Sequence, residues 1–208
     1  METVKFRCLS DADREDLEFL EKCDTTYAAS VAERLLQTLA SLKNAMSGFQ
    51  VSRLEHSLQS ATRAWYDGAD ADWIVSALLH DIGDIHSPYD HDEYAALILR
   101  PFVREQCSWT IKYHGDFQRY YFAAELGQDP NVRDRYRGEA YFEDCVLFCE
   151  RWDQNSFDPT YMHHSIEFFR PYVRDVFARK PYDPANIKTG ERVALINPDI
   201  AHKRSEAA

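Results

Sequence analysis

The stretch Ser76-Ala77-Leu78-Leu79-His80-Asp81-Ile82-Gly83-Asp84 ends an apolar helical run in an adjacent histidine and aspartate, with a glycine two residues on. The apolar residues imply burial. Burying a carboxylate beside an imidazole costs several kcal/mol unless both groups are paired, hydrogen-bonded or bound to metal. A metal accounts for both: neutral imidazole is one ligand, and an ionised carboxylate, able to bridge two cations, is the next. A helix C-terminus gives a second account, in which His80 caps carbonyls, Asp81 is solvated and Gly83 takes the left-handed position after the helix.

The rest of the chain reads as helices that could present side chains to such a site. Leu17, Leu20, Val31, Leu35, Leu39 and Leu42 recur at helical spacing, which predicts one long helix or two joined ones from Asp11 to Leu42. Ser52-Arg53-Leu54-Glu55 has the capping-box arrangement and opens a helix with Leu54, Leu58, Ala61 and Ala64 on one face. Asp67-Gly68-Ala69-Asp70 ends that helix and caps the next, which runs into His80-Asp81. Further helices are predicted from His91 to Leu99, around Ser108 to Gln118, from Tyr141 to Trp152 and from His164 to Arg179. No alternating run is long enough for a sheet, so the expected fold is an all-α bundle of about seven helices. At 208 residues the chain suits a single domain: a core over 51–179, an N-terminal helical extension over 11–44 and a C-terminal tail over 180–208.

A formal charge of -11 argues against nucleic acid or an anionic membrane as partner. No apolar stretch reaches the roughly 20 residues of a membrane span, and the first residues lack a signal-peptide pattern, so a cytoplasmic location is expected. Cys8, Cys23, Cys107, Cys145 and Cys149 are odd in number and show no Cys-x-x-Cys spacing, which points away from disulfides and zinc knuckles. Cys145 and Cys149 read as packed free thiols.

His56, His91, His114 and Asp153 each lie on or just past a helix with an apolar face. With His80 and Asp81 they supply four imidazoles and two carboxylates, an inventory suited to iron or manganese. If Asp81 bridges, one metal takes His56, His80 and Asp153 while the other takes His91 and His114.

The pattern His56, His80-Asp81, Asp153 resembles the four-ligand signature of the HD-domain superfamily, whose commoner members are metal-dependent phosphohydrolases. His91 and His114 bring it nearer to the HD-domain mixed-valent diiron oxygenases. Leu54-Glu55-His56-Ser57-Leu58-Gln59 and Ala77-Leu78-Leu79-His80-Asp81-Ile82-Gly83 are very similar to the phosphonate-cleaving members. The resemblance implies an HD-type bundle with a buried Fe(II)/Fe(III) pair and a small hydroxylated substrate. O2 would serve to cleave a C–P or C–C bond at the carbon bearing the hydroxyl, with no catalytic residue beyond the metal ligands. The alternative it leaves open is a hydrolase of a nucleotide or other phosphate ester, with manganese or cobalt on the same ligands. A metal-loaded regulatory module with closed coordination is a third reading.

Where those relatives have a Tyr-Ile-Gly-Glu lid, this chain has Met46-Ser47-Gly48-Phe49. It has acidic Asp84 after the His-Asp-x-Gly segment, Gln118 where a lysine can stand, and Glu150 in place of an arginine, with Arg151 beside it as a possible substitute. A dianionic phosphonate needs several fixed positive donors, which this pattern lacks. Asp84 and Gln118 lie one turn beyond His80 and His114, and both are expected to contact a hydroxyl-rich or amine-bearing substrate. Tyr120, Tyr121 and Phe122 either line the pocket, facing a cation, or belong to the core.

Overall fold

The computed structural model describes residues 2–206, so residue 1 and positions 207–208 of the expected tail lie outside it. Among the described residues there are ten α-helices and no strand. The fold is all-α, as expected, with more helices than the seven or so predicted.

The N-terminal pattern resolves into two helices, α1 (Arg14–Ala29) and α2 (Val31–Ser41), which break at Ser30. Asp13 caps α1 in a reciprocal box with Asp16, the one residue α1 buries. The α2 helix buries Ala32, Leu35, Leu36 and Leu39. A loop leads to α3 (Arg53–Tyr66), whose Ser52–Glu55 capping box forms as predicted. The Asp70 carboxylate accepts from the Trp73 backbone N–H and opens α4 (Ala71–Leu79).

The central helix is α4. Trp73, Ile74, Val75, Ala77, Leu78 and Leu79 are all fully buried, with α3, α6 and α8 packed around them. Each large apolar side chain buried there contributes roughly 1.5–3 kcal/mol relative to exposure. Leu78→Ala would leave a cavity and cost about 2–5 kcal/mol.

After α4 the chain makes a 3-10 turn, Ile82–Ile85, then α5 (His91–Leu99) and α6 (Glu105–Gln118). Gly83 is not in the left-handed region. A Cβ there would stand 2.5 Å from the His91 carbonyl oxygen, so the glycine permits α5 to rest directly on the turn. Of the helix-cap account, His80 does cap a carbonyl, that of Ala77, but Asp81 is buried and Gly83 serves the close approach of two backbones rather than a left-handed position.

The amphipathic pattern over Tyr141 to Trp152 folds as α7 (Phe142–Phe148) and then widens into a π-helical turn, Cys149–Asp153. The α8 helix (Ile166–Phe177) buries Phe169, Val173, Val176 and Phe177.

Beyond Lys180 lie two helices that periodicity did not reveal, α9 (Pro184–Ile187) and α10 (Pro198–Glu206). The α10 helix is held by polar contacts to backbone. Arg204 Nη1 donates to the Trp65 and Ala69 carbonyls at 2.6 and 3.1 Å, and the Asn197 N–H donates to the Asp67 carbonyl at 2.8 Å. Leu195 and the α2 leucines join the same buried cluster as α4. No helix among the described residues is long and apolar enough to cross a membrane.

Candidate metal centre

Five separate elements deliver side chains to one buried point. His56 comes from the first turns of α3, His80 from the C-cap of α4 with Asp81 next, and His91 from the first residue of α5. His114 comes from the last turns of α6 and Asp153 from the end of the π turn. All are buried except His91, whose side chain is 26% exposed and marks the side open to solvent.

Asp81 sits between two pairs of histidines. Its Oδ2 lies 3.2 Å from His56 Nε2 and 3.1 Å from His80 Nε2. Its Oδ1 lies 3.4 Å from both His91 Nε2 and His114 Nε2. Asp153 Oδ1 closes the first side, 3.3 Å from His56 Nε2 and 3.6 Å from His80 Nε2. Three overlapping groups bring their ligand atoms within 4.8 Å of one another and could hold metal: His56, His80 and Asp81; His80, His114 and Asp153; Asp81, His91 and His114.

Hydrogen bonding fixes which ring nitrogen faces the cluster. Nδ1 of His56, His80 and His114 lies 2.9, 2.8 and 2.7 Å from the carbonyls of Ser156, Ala77 and Ile111. A carbonyl only accepts, so each Nδ1 carries hydrogen and donates. In the neutral rings each Nε2 then presents a lone pair inward. His56 and His80 Nε2 are 3.0 Å apart, which is repulsive unless positive charge lies against them. Asp153 Oδ2 is buried without a hydrogen-bond partner. Both observations fit a cation in the cluster.

The electrostatics agree. Burial would push the Asp81 carboxyl up, but Arg53, His80 and hydrogen bonds from His114 and His56 hold it well below the usual carboxylate range. Burial opposes and His56 and His80 prevail for Asp153, which is also depressed. His80 is driven down by burial yet raised overall to about 10 by Asp81 and Asp153. The two carboxylates attract positive charge, and a metal would take the place of the proton on His80.

Beside the cluster opens a cleft of about 620 Å³, lined among others by Met46, Phe49, Arg53, Asp84, Gln118 and Phe157. Both residues expected to contact substrate line it, and both also engage protein groups. Asp84 Oδ2 accepts from Arg53 Nε at 2.5 Å, and Gln118 Nε2 donates to Asp153 Oδ1 at 2.8 Å. Phe157 stacks on His56 with ring centroids 4.4 Å apart. Tyr121 and Phe122 line the cleft, whereas Tyr120 faces away from it under Arg133, whose Cζ lies 3.6 Å from the ring centroid.

Arg53 is the residue that the sequence reading missed. It is 7% exposed, and its Nη2 donates to Asp81 Oδ2 while its Nε holds Asp84. The signal was its position three residues before His56, which shares a helix face with it. The capping box had already explained that segment. Arg151 does not compensate for the missing arginine. It extends outward to Asp67, Nη2 to Oδ1 at 2.8 Å, because the turn that aims Asp153 inward aims Arg151 at solvent. Cys107, Cys145 and Cys149 are buried free thiols, raised by burial, and Cys8 and Cys23 are exposed.

The family model described as the HD domain matches residues 53–147. The matched segment includes His56, His80, Asp81, His91 and His114 and stops short of Asp153. A curated relative is the [1-hydroxy-2-(trimethylamino)ethyl]phosphonate dioxygenase (glycine-betaine-forming) of Leisingera caerulea, 34% identical over 89 residues. The match covers 38% of this chain and 45% of the relative, so this chain spans less than half of that protein's length.

Proposed function

We propose that this HD-domain enzyme is a non-heme diiron oxygenase, which uses O2 to oxidise and cleave a small hydroxylated substrate at the carbon bearing the hydroxyl. The observation that carries the reading is the placement of Asp81, whose two oxygens face separate histidine pairs. In this reading Asp81 bridges, His56, His80 and Asp153 complete one metal site, and His91 and His114 form the other. Iron would supply redox chemistry toward O2 and Lewis acidity at a substrate hydroxyl. The imidazole-carboxylate set, with no cysteine among its donors, suits iron better than structural zinc. The dioxygenase relative supports the oxygenase class, and its substrate name includes a hydroxyl on the carbon next to phosphorus.

The chain's own residues have three tasks. Backbone carbonyls of Ser156, Ala77 and Ile111 fix the tautomers of His56, His80 and His114, so that Nε2 stays free for metal. Arg53 offsets part of the charge on Asp81. Phe157 covers His56 and excludes water from that side, leaving the partly exposed His91 side for substrate.

The test is metal analysis of anaerobically purified protein, with low-temperature electron paramagnetic resonance after partial oxidation. About two irons per chain and a coupled half-integer signal are expected for a bridged pair. A protein with no coupled iron signal, whose phosphate-ester hydrolysis is restored by manganese or cobalt, would overturn the reading in favour of a hydrolase.

A further inference from the structure

The wall of the cleft is uneven in charge and polarity. The one cationic side chain that lines it, Arg53, is already engaged by two carboxylates, Asp81 and Asp84. Arg151 lies on the outer surface with Asp67. The rest of the wall consists largely of Met46, Phe49, Tyr121, Phe122 and Phe157, with Phe157 stacked on His56 and the Asp84 carboxylate, paired with Arg53, on the His91 side. Arg53 Cζ lies 5.7 Å from the centroid of Phe49, so this wall already accommodates one organic cation.

An anionic group reaching into this region would meet no unpaired positive side chain. It would lie against ring faces, which carry the negative part of the aromatic quadrupole. An alkylated ammonium meets the reverse. It is large and weakly hydrated, so leaving water costs little, and the aromatic rings of the wall attract it. A primary ammonium would instead need several oxygen acceptors, whereas the wall offers mostly carbon.

We propose that this cleft recognises an alkylated ammonium group. The substrate class is then an amino alcohol with alkyl groups on nitrogen, which presents its hydroxyl to the histidine cluster and has no dianionic end. This rests on the reading of the cleft as the substrate site of the oxygenase, and deepens it.

The test is calorimetric binding, under anaerobic conditions, to iron-loaded and metal-free protein. The probes are choline, its neutral isostere 3,3-dimethyl-1-butanol, and (1-hydroxyethyl)phosphonate. Choline is expected to bind at least about tenfold more tightly than the isostere in both preparations, because the ring faces distinguish charge at equal shape. Tyr121→Leu and Phe122→Leu are each expected to weaken choline about threefold or more, with less effect on the isostere and unchanged metal content. Equal binding of choline and isostere, tightest binding of the phosphonate, or no choline binding would overturn the assignment. Oxygen uptake by the iron-loaded protein separates the two readings. Uptake with the phosphonate and no preference for choline would sink the cation assignment and keep the oxygenase. Preference for choline with no uptake on any hydroxylated ammonium would do the opposite.

Discussion

The floor and the mouth of the cleft are built on different terms. The floor is His56, His80, Asp81, His114 and Asp153, all buried and drawn from α3, the end of α4, α6 and the π turn. Nearly every polar atom there has a named partner, the exception being Asp153 Oδ2. The mouth is Met46, Phe49, Tyr121 and Phe122, between 37% and 59% exposed, on loops and 3-10 turns. Chemistry that depends on fixed geometry sits where packing permits one arrangement, and selection among substrates sits where a side chain can change without disturbing the core.

Asp81→Ala tests the floor most severely. The protein is expected to lose nearly all of its metal, because one residue serves both halves of the cluster. Retention of full metal content on elemental analysis would break the bridging assignment. Gly83→Ala should come next. Its Cβ would meet the His91 backbone at 2.5 Å, so α5 must shift, at a cost of about 1–3 kcal/mol in denaturant unfolding together with reduced metal loading. Wild-type stability in that variant would mean that the turn and α5 are not pressed together.

The floor also makes a pH prediction. With no cation bound, His80 is opposed by burial but raised by Asp81 and Asp153, from an ordinary 6.5 to about 10. A folded value above the unfolded one gives stability that is fully present below about 6.5 and is lost as pH rises through about 10. Metal-free protein should therefore melt at falling temperatures across that window. Metal-loaded protein, whose cation replaces the proton, should hold nearly constant. Parallel melting curves would show that His80 does not carry the charge.

Gln118→Leu removes the donor to Asp153 Oδ1 and is expected to weaken metal affinity about tenfold, measured by competition with a chelator. The smallest effect belongs to the mouth. Tyr121→Leu should change stability by no more than about 0.5 kcal/mol and leave metal content intact. A larger loss would remove the contrast between the two regions.

The sequence exposed the floor more readily than the mouth, for a physical reason. A histidine and an aspartate at the end of an apolar run must be reconciled with burial, and that requirement is visible without coordinates. The helices α3 to α6 were similarly legible from caps and spacing. Arg53 was not, because its helix start was already accounted for and its partners lie 28 and 31 residues away. That Phe157 and Tyr121 line one cleft depends on loop paths that carry no period. The α10 helix is held by hydrogen bonds to particular carbonyls, which leave no pattern in the residues themselves.

The π turn at Cys149–Asp153 has a consequence for comparing this chain with others. Such a turn is equivalent to one residue inserted into an α-helix, and each helical residue advances the side-chain direction by about 100°. The HD match ends at 147, just before that turn. An ungapped alignment carried across it would set the neighbour of Asp153, rather than Asp153 itself, opposite a relative with a regular helix. Deleting one residue between 149 and 152 should let the turn close to a regular α-helix and leave the carboxylate at the cluster, with metal content retained. Homologues that seem to lack the final aspartate are best realigned by one position here before the ligand is counted as lost.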